Sequence, residues 1–461
     1  SKNIFTFFLL WYTKYKRGIY MCGINGIISK DKNKDKLIKS MNEKILHRGP
    51  DAEGIFVEGD VALGQRRLSI IDLAGGNQPI YNEDKSILIM YNGEVYNYKE
   101  LKEELTEYKF ETESDTEVVL HGYEKWGHDL PKKLRGMFAY AIYDKNKGEI
   151  FISRDQFGIK PLYYYHDGDT ILFGSEIKSF LAYPKFKKVL NKELLGAYLT
   201  FSFTPTDETF FKGVYRLPSG HSMTIDVKKR KIKIDRYFKV EFGNTDKSFD
   251  EVVDEIGKAM KDSTEHHLIS DVEVGSFLSS GVDSSYLVSL AKPDKTYTIG
   301  FDLAKYSEID YAKDLTDKLN IKNISEKISK EEYMNALSEV YYHMDEPTAD
   351  GCAIAVYFLS RLASRDVKVV LSGEGADEFF GGYNSYDDNF YTKLPFFIRK
   401  SMASICKILP KNKITRYIIR RGLPLEESYV SINRTYYDDE LKDVLKIDNY
   451  IKNKDIVKDV Y

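Results

Sequence analysis

Short apolar runs alternate with helical spacings of apolar residues through the second half of the chain. The run 272–278 predicts a buried strand, and the spacing over 286–290 predicts a helix that follows a loop of small residues. The run 297–301 predicts the next parallel strand, and 369–371 predicts a strand that leads into a glycine-rich loop. An amphipathic helix is predicted over 249–260. This alternation is typical of a parallel α/β domain.

The first half of the chain has a different pattern. Strands are predicted at 22–28 and 87–91, with helical spacing over 37–46 between them. Aromatic and β-branched residues alternate over much of 136–164, which suits the strands of stacked sheets. The turn-rich segment 216–221 predicts a linker, so we expect one domain over residues 21–219 and a second over 220–461.

Composition and charge exclude several classes of function. The 461 residues are enough for two or more domains, and the formal net charge of -3 gives no indication of a nucleic-acid or membrane partner. No apolar run approaches the roughly 20 residues of a membrane span. Cys22, Cys352 and Cys406 are far apart, which is typical of a reducing compartment rather than of a disulfide framework. We therefore expect a cytoplasmic protein.

Residues 1–20 form an apolar and aromatic stretch without a small-residue cleavage site, which does not fit a signal peptide. We interpret them as translated upstream sequence, with Met21 as the true start. The codons for 16–20 can include a purine-rich ribosome-binding stretch, and an upstream nucleotide sequence without one would contradict this hypothesis.

The loop after the strand at 272–278 suits an anion. Ser279, Gly281 and Ser284 are small, so a phosphate can approach the backbone N–H groups and the positive end of the helix dipole. Asp283 adds a carboxylate that can hold Mg²⁺ against phosphate oxygens. No Gly-Lys-Ser/Thr follows, so the loop is not a Walker motif. Taken alone, the loop is explained equally well as a serine-rich turn.

A cysteine directly follows the candidate initiator. If Met21 is removed, Cys22 becomes the N-terminal residue, and its thiol is a nucleophile. Its own α-amine, with a pKa of about 7.7–8.0, is then a built-in general base. Taken alone, Cys22 is explained more simply as a buried structural cysteine.

Several further motifs occur in order along the chain. In the first half they lie at 21–28, 47–51, 65–72, 76–79, 92–97, 114–117, 136–144 and 154–164. This set resembles the glutaminase domain of class II (N-terminal nucleophile) glutamine amidotransferases, and within that class glutamine-hydrolysing asparagine synthetases. The loop at 279–285 resembles that of the ATP pyrophosphatases, except that Ser280 stands where those proteins usually have a glycine. The segment 369–383 resembles the glutamine-hydrolysing asparagine synthetases along its whole length.

The resemblance implies a fold and a set of roles in the first domain. The fold is an αββα sandwich of the N-terminal-nucleophile type. Cys22 would attack the glutamine carboxamide, and the Asn92 side chain and the Gly93 N–H would hold the oxyanion. Arg67 would pair with the substrate carboxylate and Asp115 with its ammonium group. The rest of the implied glutamine pocket is Leu68, Ser69, Ile70, Ile71 and Glu94.

In the second domain the resemblance implies an α-hydrolase-like (PP-loop) α/β fold that binds ATP. The implied ATP-binding residues are Phe277, Leu278, Ser279, Gly281, Asp283, Ser284, Ile299, Ser372 and Gly373. Asp283 and Asp377 would hold Mg²⁺, and Glu374 would deprotonate ammonium before it attacks the acyl-adenylate. The segment 345–350 resembles an acidic stretch near the acceptor amino acid, and each of its residues taken singly is explained equally well by an acidic loop that ends a helix.

The implied activity is the conversion of aspartate, glutamine and ATP to asparagine, through a β-aspartyl-AMP intermediate and with ammonia passing internally between the sites. A homodimer is compatible with the resemblance. Past the region 434–441, members of the family carry an Arg-x-Pro-Phe-Leu-Asp segment and a later lysine, and neither is found here. After residue 447 the sequence is rich in lysine and aspartate, so we expect a synthetase domain that is truncated. Two alternatives stay open: an amidotransferase with another acyl acceptor, and a glutaminase-only or inactive fragment. β-Lactam synthetase lacks the nucleophilic cysteine, so Cys22 does not favour that relative.

Overall fold

The computed structural model describes residues 21–241, 243, 245–302, 307–349, 351–383, 393–410, 412–424, 436, 438–446 and 450–460. The strands of the first half are β1 (Gly23–Ile28), β2 (Ala52–Glu58), β3 (Val61–Arg67), β4 (Ile80–Tyr81), β5 (Ile87–Val95), β6 (Gly136–Asp144), β7 (Glu149–Arg154), β8 (Tyr163–His166), β9 (Ile171–Gly174), β10 (Val214–Arg216), β11 (His221–Asp226) and β12 (Lys231–Arg236). Its α-helices are α1 (Lys34–Lys44), α2 (Tyr98–Glu104), α3 (Asp115–Trp126) and α4 (Leu195–Phe201).

The first half is a four-layer sandwich. One six-stranded sheet has the order β10-β8-β9-β1-β3-β2, and the other has the order β12-β11-β7-β6-β5-β4. Apolar side chains of β1 and β3 pack between the sheets against those of β5, β6 and β7. Helix α1 covers the outer face of the first sheet, and α2 and α3 cover the outer face of the second. The predicted αββα fold is confirmed.

The sandwich extends beyond the boundary that the turn-rich segment predicts at residue 219. Strand β11 pairs with β7, and β12 pairs with β11, so the second sheet continues to Arg236. The segment between β10 and β11 carries the chain from one sheet to the other. The turn residues there mark a change of sheet and not a change of domain.

The described residues of the second half form one sheet. Its strands are β13 (Val274–Phe277), β14 (Lys295–Phe301), β15 (Lys322–Ile328) and β16 (Val369–Leu371). Its helices are α5 (Phe249–His267), α6 (Val282–Ala291), α7 (Ile309–Leu319), α8 (Lys330–Met344), α9 (Cys352–Ala363), α10 (Ala376–Phe380), α11 (Phe396–Cys406), α12 (Lys413–Arg421), α13 (Asp438–Leu445) and α14 (Asn453–Val460). No helix of the described residues is long and apolar enough to cross a membrane.

All strand pairs of this sheet are parallel, in the order β15-β14-β13-β16. Helices α8 and α9 pack on one face through Val340 and Phe358, and α6 and α7 pack on the other through Val288 and Ala312. The predicted two-domain α/β organisation is confirmed. Strand β13 is the point where the order reverses, because β14 follows on one side of it and β16 lies on the other. Ligands of open parallel sheets bind at the carboxyl ends of such strands.

Candidate functional site

The Cys22 thiol lies just before β1, beside the residue that follows β3. Its Sγ accepts a hydrogen bond from Leu68 N at 3.3 Å and lies 3.5 Å from Leu68 O. The pKa of the thiol is raised to about 11, first because the group is buried and also because Glu94 is near. The Leu68 N–H, Lys160 and Arg67 act in the opposite direction. The thiol is therefore protonated at neutral pH, and a base is needed to produce the thiolate nucleophile.

Arg48 fixes the backbone of the nucleophile. Its Nε donates to Cys22 O at 2.9 Å, and its Nη1 donates to Glu176 Oε1 at 3.1 Å. Glu176 also lies 2.9 Å from His47 Nε2 and 2.7 Å from Lys178 Nζ. Burial alone would raise the pKa of Glu176, but its cationic neighbours hold it well below its usual range. The motif at 47–51 thus positions Cys22 through a buried ionic cluster.

Asn92 and Gly93 are consecutive residues near the end of β5. Asn92 is 1% exposed, and its Nδ2 has no hydrogen-bond partner among the described residues. A buried donor without a partner costs about 1–3 kcal/mol, so this amide suits an acceptor that a ligand brings. A Cβ at Gly93 would lie 2.5 Å from Met137 O, which shows how closely β5 packs on β6 here.

Glu94 and Asp115 bring two carboxyl groups close together. Asp115 is the first residue of α3, and its Oδ2 accepts hydrogen bonds from Tyr91 Oη at 2.8 Å and from Val95 N at 2.9 Å. Glu94 Oε2 is buried and has no partner among the described residues. The pKa of Glu94 is raised well above its usual value by burial and by Asp115, and burial also raises the pKa of Asp115. Such a pair favours a cation, for instance an ammonium group. The predicted serine cap of α3 is confirmed, because Ser114 Oγ accepts from Thr116 N.

Arg67 ends β3, and its guanidinium closes the loop that follows. Its Nη2 donates to Ile71 O at 3.1 Å and to Asp72 O at 2.6 Å, and its Nη1 donates to Asn77 Oδ1 at 3.1 Å. Within the described part of the chain, Arg67 forms no ion pair with a carboxylate. Its charge is therefore suited to an anionic group of a ligand.

The residues after Arg67 complete the pocket. Leu68, Ser69 and Ile71 are buried, and Ile70 is half-buried. The structure thus brings the residues that the sequence predicts for glutamine into one region around the Cys22 thiol.

A second set of predicted residues meets at the carboxyl end of β13. Phe277 on β13, Leu278 directly after it and Ile299 on β14 are buried, and Leu278 N donates to Tyr297 O at 3.0 Å. In the loop that follows, Ser284 Oγ lies 2.9 Å from Ser279 Oγ and accepts from Ser279 N at 3.2 Å. These bonds fold the loop tightly at the N-terminus of α6.

The loop after β16 packs on the same helix terminus. A Cβ at Gly373 would lie 3.0 Å from Ser284 N and 3.1 Å from Asp283 C. Only a residue without a side chain allows this approach without displacing the neighbouring backbone. Ser372 Oγ donates to Glu374 Oε1 at 3.5 Å, and Glu374 is exposed. The two loops therefore adjoin each other where the strand order reverses, which is the expected position of a nucleotide.

The predicted metal ligands lie in the first turns of two helices. Asp283 is exposed in α6, and Asp377 is half-buried in α10. No group of three or more His, Cys, Asp or Glu side chains converges in the regions that the structure describes. Carboxylate and phosphate oxygens are donors that Mg²⁺ accepts, so the chemistry of these two side chains suits the ion.

The acidic segment that begins at Asp345 faces the first domain. Asp345 Oδ1 lies 2.9 Å from Lys178 Nζ, and its Oδ2 accepts from Ile177 N at 2.7 Å. Glu346 Oε2 lies 2.6 Å from Arg216 Nη2. Both carboxylates thus form contacts between the domains. The sequence predicts that this segment lies near the acceptor amino acid. Asp350 lies outside the described residues.

Sequence reasoning missed Lys160, which lies beside the nucleophile. Its side chain is 4% exposed, and its Nζ lies 3.5 Å from Met21 Sδ. Burial lowers the pKa of Lys160 to about 8, while Glu94 and Cys22 act to raise it. The sequence offered one sign of this role. A charged lysine stands between Gly158 and Pro161, in a segment whose other residues have the pattern of a buried core.

Comparisons with known proteins give results for both halves of the chain. A family model described as a glutamine amidotransferase domain matches residues 21–238, and one described as asparagine synthase matches residues 255–449. Asparagine synthetase [glutamine-hydrolyzing] 1 of Bacillus subtilis is 41% identical over 442 residues, which cover 92% of this chain and 70% of that protein. Putative asparagine synthetase [glutamine-hydrolyzing] 2 of Methanocaldococcus jannaschii is 38% identical over 414 residues, which cover 82% and 79%. Among solved structures, a B. subtilis glutamine phosphoribosylpyrophosphate amidotransferase is 17% identical, covers 66% of this chain and 65% of its own, and has a TM-score of 0.37.

Proposed function

Because the chain belongs to the family of glutamine-hydrolysing asparagine synthetases, we propose that it amidates aspartate to asparagine with ATP and with ammonia from glutamine. The observation that carries the proposal is the Asn92 amide on β5, a buried donor without a hydrogen-bond partner in the part of the chain that the structure describes. An oxyanion formed from a carboxamide is the kind of acceptor that this donor lacks.

Glutamine hydrolysis begins with attack of Cys22 Sγ on the side-chain carboxamide. Since the pKa of the buried thiol is about 11, a base must take its proton. We assign this role to the α-amine of Cys22, which requires that Met21 be removed. Asn92 Nδ2 and the Gly93 N–H stabilise the oxyanion. The protonated α-amine then returns its proton to the amide nitrogen, the C–N bond breaks, ammonia leaves, and water hydrolyses the thioester.

The charges around the thiol select glutamine. Arg67 receives the α-carboxylate, and the carboxyl groups of Glu94 and Asp115 receive the α-ammonium. Binding of that ammonium lowers the pKa of both carboxyls from the values that burial imposes, so the ionised pair is stabilised by the substrate itself. The backbone from Leu68 to Ile71 closes the pocket.

The second site activates aspartate as β-aspartyl-AMP. The backbone of Phe277, Leu278 and Ile299 contacts the adenine, and the two loops of small residues bind the phosphates at the N-terminus of α6. The residues that contact the phosphates are Ser279, Gly281, Ser284, Ser372 and Gly373.

Two acidic groups have further roles in this site. Asp283 and Asp377 would hold Mg²⁺, which when bound neutralises charge on the departing pyrophosphate. Glu374, exposed in the loop after β16, takes a proton from ammonium so that ammonia can attack the acyl group.

Product analysis tests the proposal. The chain is incubated with ATP, Mg²⁺ and glutamine, with aspartate or with other amino acids and acids, and pyrophosphate, glutamate and asparagine are measured. Pyrophosphate release that depends on aspartate is expected. Release that depends on another acid would identify a different acceptor. Glutamate formation without release of pyrophosphate would show that the chain has glutaminase activity but no synthetase activity.

Substitution of Cys22 tests the nucleophile. Cys22→Ala is expected to abolish glutamine hydrolysis and to leave ammonia-dependent synthesis intact. Cys406→Ala is the matched control, because Cys406 is a buried cysteine on α11. If Cys22→Ala still hydrolyses glutamine, the assignment of the nucleophile is wrong.

Chains with different N-terminal residues test whether the α-amine of Cys22 is the base. We compare a chain expressed from Met21, whose intact mass reports removal of the methionine, with a chain that retains residues 1–20. Glutaminase activity is expected only where the mass corresponds to a chain that begins at Cys22. Equal glutaminase activity of both chains would contradict the role of the α-amine.

A further inference from the structure

A residue of the second domain contacts the loop that is proposed to bind glutamine. We define the glutamine loop as residues 68–72. Asp271 Oδ2 accepts a hydrogen bond from Asp72 N at 2.9 Å, and Asp271 N donates to Ile70 O at 3.2 Å. The loop backbone thus gives one donor and one acceptor to a single residue of the other domain.

Lys368 of the second domain contacts the other end of this loop. Its Nζ donates to Asp51 Oδ2 at 2.8 Å and lies 3.4 Å from Ser69 O. The same Asp51 Oδ2 accepts from Ser69 N at 3.0 Å. Burial alone would raise the pKa of Asp51, but Lys368 and the Ser69 N–H hold it below its usual value. Asp51 is therefore ionised at neutral pH and links Lys368 to the loop.

Asp271 and Lys368 occupy equivalent places in the parallel sheet. Asp271 lies three residues before β13, and Lys368 lies directly before β16. The two strands are hydrogen-bonded neighbours, with Val274 opposite Val369. Their other ends lead into the loops at 279–284 and 372–374. At about 3.3 Å per residue, a four-residue strand spans roughly 13 Å, so the same short strands join the glutamine loop to the nucleotide loops.

We propose that Asp271 and Lys368 are positioning residues for glutamine hydrolysis, through which the second domain holds the glutamine loop in its substrate-binding shape. The inference rests on the proposed function, since it takes residues 68–72 as part of the glutamine pocket. A loop that lost these bonds would be in its substrate-binding shape in a smaller fraction of the molecules. The apparent affinity for glutamine would fall in proportion to that fraction. The chemistry at Cys22 would be unchanged in the molecules that bind.

The test measures KM and kcat for glutamine hydrolysis separately, because the inference predicts a change in KM alone. Lys368→Met and Asp271→Ala are each expected to raise the KM for glutamine about three- to tenfold, the range for loss of one or two modest hydrogen bonds. The kcat at saturating glutamine and the ammonia-dependent synthesis are expected to stay within about twofold of the unmodified protein. Lys368→Arg, which keeps a charged donor, is expected to restore most of the affinity.

Lys295→Met is the matched control. Lys295 begins β14 at the same end of the same sheet, and its ion pair at 3.0 Å is with Glu273 of the second domain. This substitution removes a lysine of similar surroundings without touching the glutamine loop. If Lys368→Met and Asp271→Ala have the same KM as Lys295→Met, the inference is overturned.

Hydrogen exchange gives an independent readout. Peptides that span residues 68–72 are expected to exchange faster in Lys368→Met than in the unmodified protein, while β13 and β16 exchange at the same rate. Unchanged exchange in this loop contradicts the inference. Because exchange needs no turnover, it tests the contact even if the unmodified protein does not hydrolyse glutamine, an outcome that counts against the proposed function alone. If Lys368→Met does not fold, the same two measurements are made on Asp271→Ala.

Discussion

The groups around Cys22 shift the pKa of its thiol in opposite directions. Burial and Glu94 disfavour the thiolate, whereas the Leu68 N–H, Lys160 and Arg67 favour it. The net effect keeps the thiol protonated, which protects it from oxidation between turnovers because the thiolate is the reactive form. Catalysis then depends on a base and on groups that stabilise charge only after attack.

Asn92→Ala removes the side-chain donor of the proposed oxyanion hole. We expect kcat for glutamine hydrolysis to fall by about 10²–10³, the usual loss when one such donor is removed. The KM for glutamine is expected to change little, because the donor acts on the charge that develops after binding. Steady-state kinetics measure both constants, and ammonia-dependent synthesis serves as the internal control. A loss in KM alone would mean that Asn92 binds substrate instead.

The sequence predicted these residues to different degrees. Cys22, Asn92 and Asp115 could be predicted because each lies in a short motif with a recognisable order along the chain. Lys160 could not be assigned a role, because a buried lysine becomes functional only through its neighbours, and these come from the residues just before β1 and from β5. Its distance from Cys22 in the sequence carries no information about their proximity in space.

Helix α3 carries a site residue at its start and a buried charged group in its middle. Asp115 begins the helix, and His121 lies two turns later with its Nδ1 2.7 Å from Glu124 Oε2 and its Nε2 3.6 Å from Glu117 Oε1. Burial alone would lower the pKa of His121, but the two carboxylates raise it to about 9. The helix that presents Asp115 is thus stabilised by a charged histidine.

This charge makes the stability of the first domain depend on pH. The folded pKa of His121 is above its value of 6.5 in the unfolded chain, so the stabilisation is complete below pH 6.5 and is lost as pH rises through about 9. We expect the free energy of unfolding to fall by about 1–3 kcal/mol across that window, and to fall less in His121→Gln. Denaturant titrations followed by Trp126 fluorescence, in a chain that begins at Met21, measure this. A parallel pH dependence in both proteins would contradict the assignment.

The order of strands and helices could be predicted better than their grouping. Apolar alternation is a local property, so strands such as β1, β5, β14 and β16 are evident from the sequence, whereas β2, β11, β12 and β15 were not predicted. The boundary after residue 219 was misplaced because a change of sheet and a change of domain both require turn residues. The hydrogen bonds of Asp271 with Asp72 and of Lys368 with Asp51 join positions that are 199 and 317 residues apart in the sequence. No local pattern marks such pairs.

The two domains meet through buried charges. Lys178, which is buried, contacts Glu176 of its own domain at 2.7 Å and Asp345 of the second domain at 2.9 Å. Arg216 and Glu346 form another ion pair across the interface. This buried cation is hard to remove, because the Asp345 carboxylate would then keep its charge away from water without a cationic partner.

Lys178→Met tests how strongly this interface holds the molecule together. We expect the free energy of unfolding to fall by about 3–5 kcal/mol, because Asp345 loses its cation. Lys178→Met with Asp345→Leu is expected to recover part of the loss, since Glu176 keeps Arg48 and His47 as partners. Chemical denaturation followed by circular dichroism measures both variants. A double variant that is less stable than the single one would show that the Asp345 carboxylate is held mainly by the Ile177 and Lys178 N–H groups.

The charged interface also limits how the halves can be exchanged between relatives. A chimera that took its first domain from one protein and its second from another would have to inherit Lys178 with Asp345 and Arg216 with Glu346. A mismatch at either position would bury a charge without its counterpart, whatever the quality of each domain alone. The two halves are therefore expected to be inherited as a unit, and successful recombination should require transplanting both sides of these pairs together.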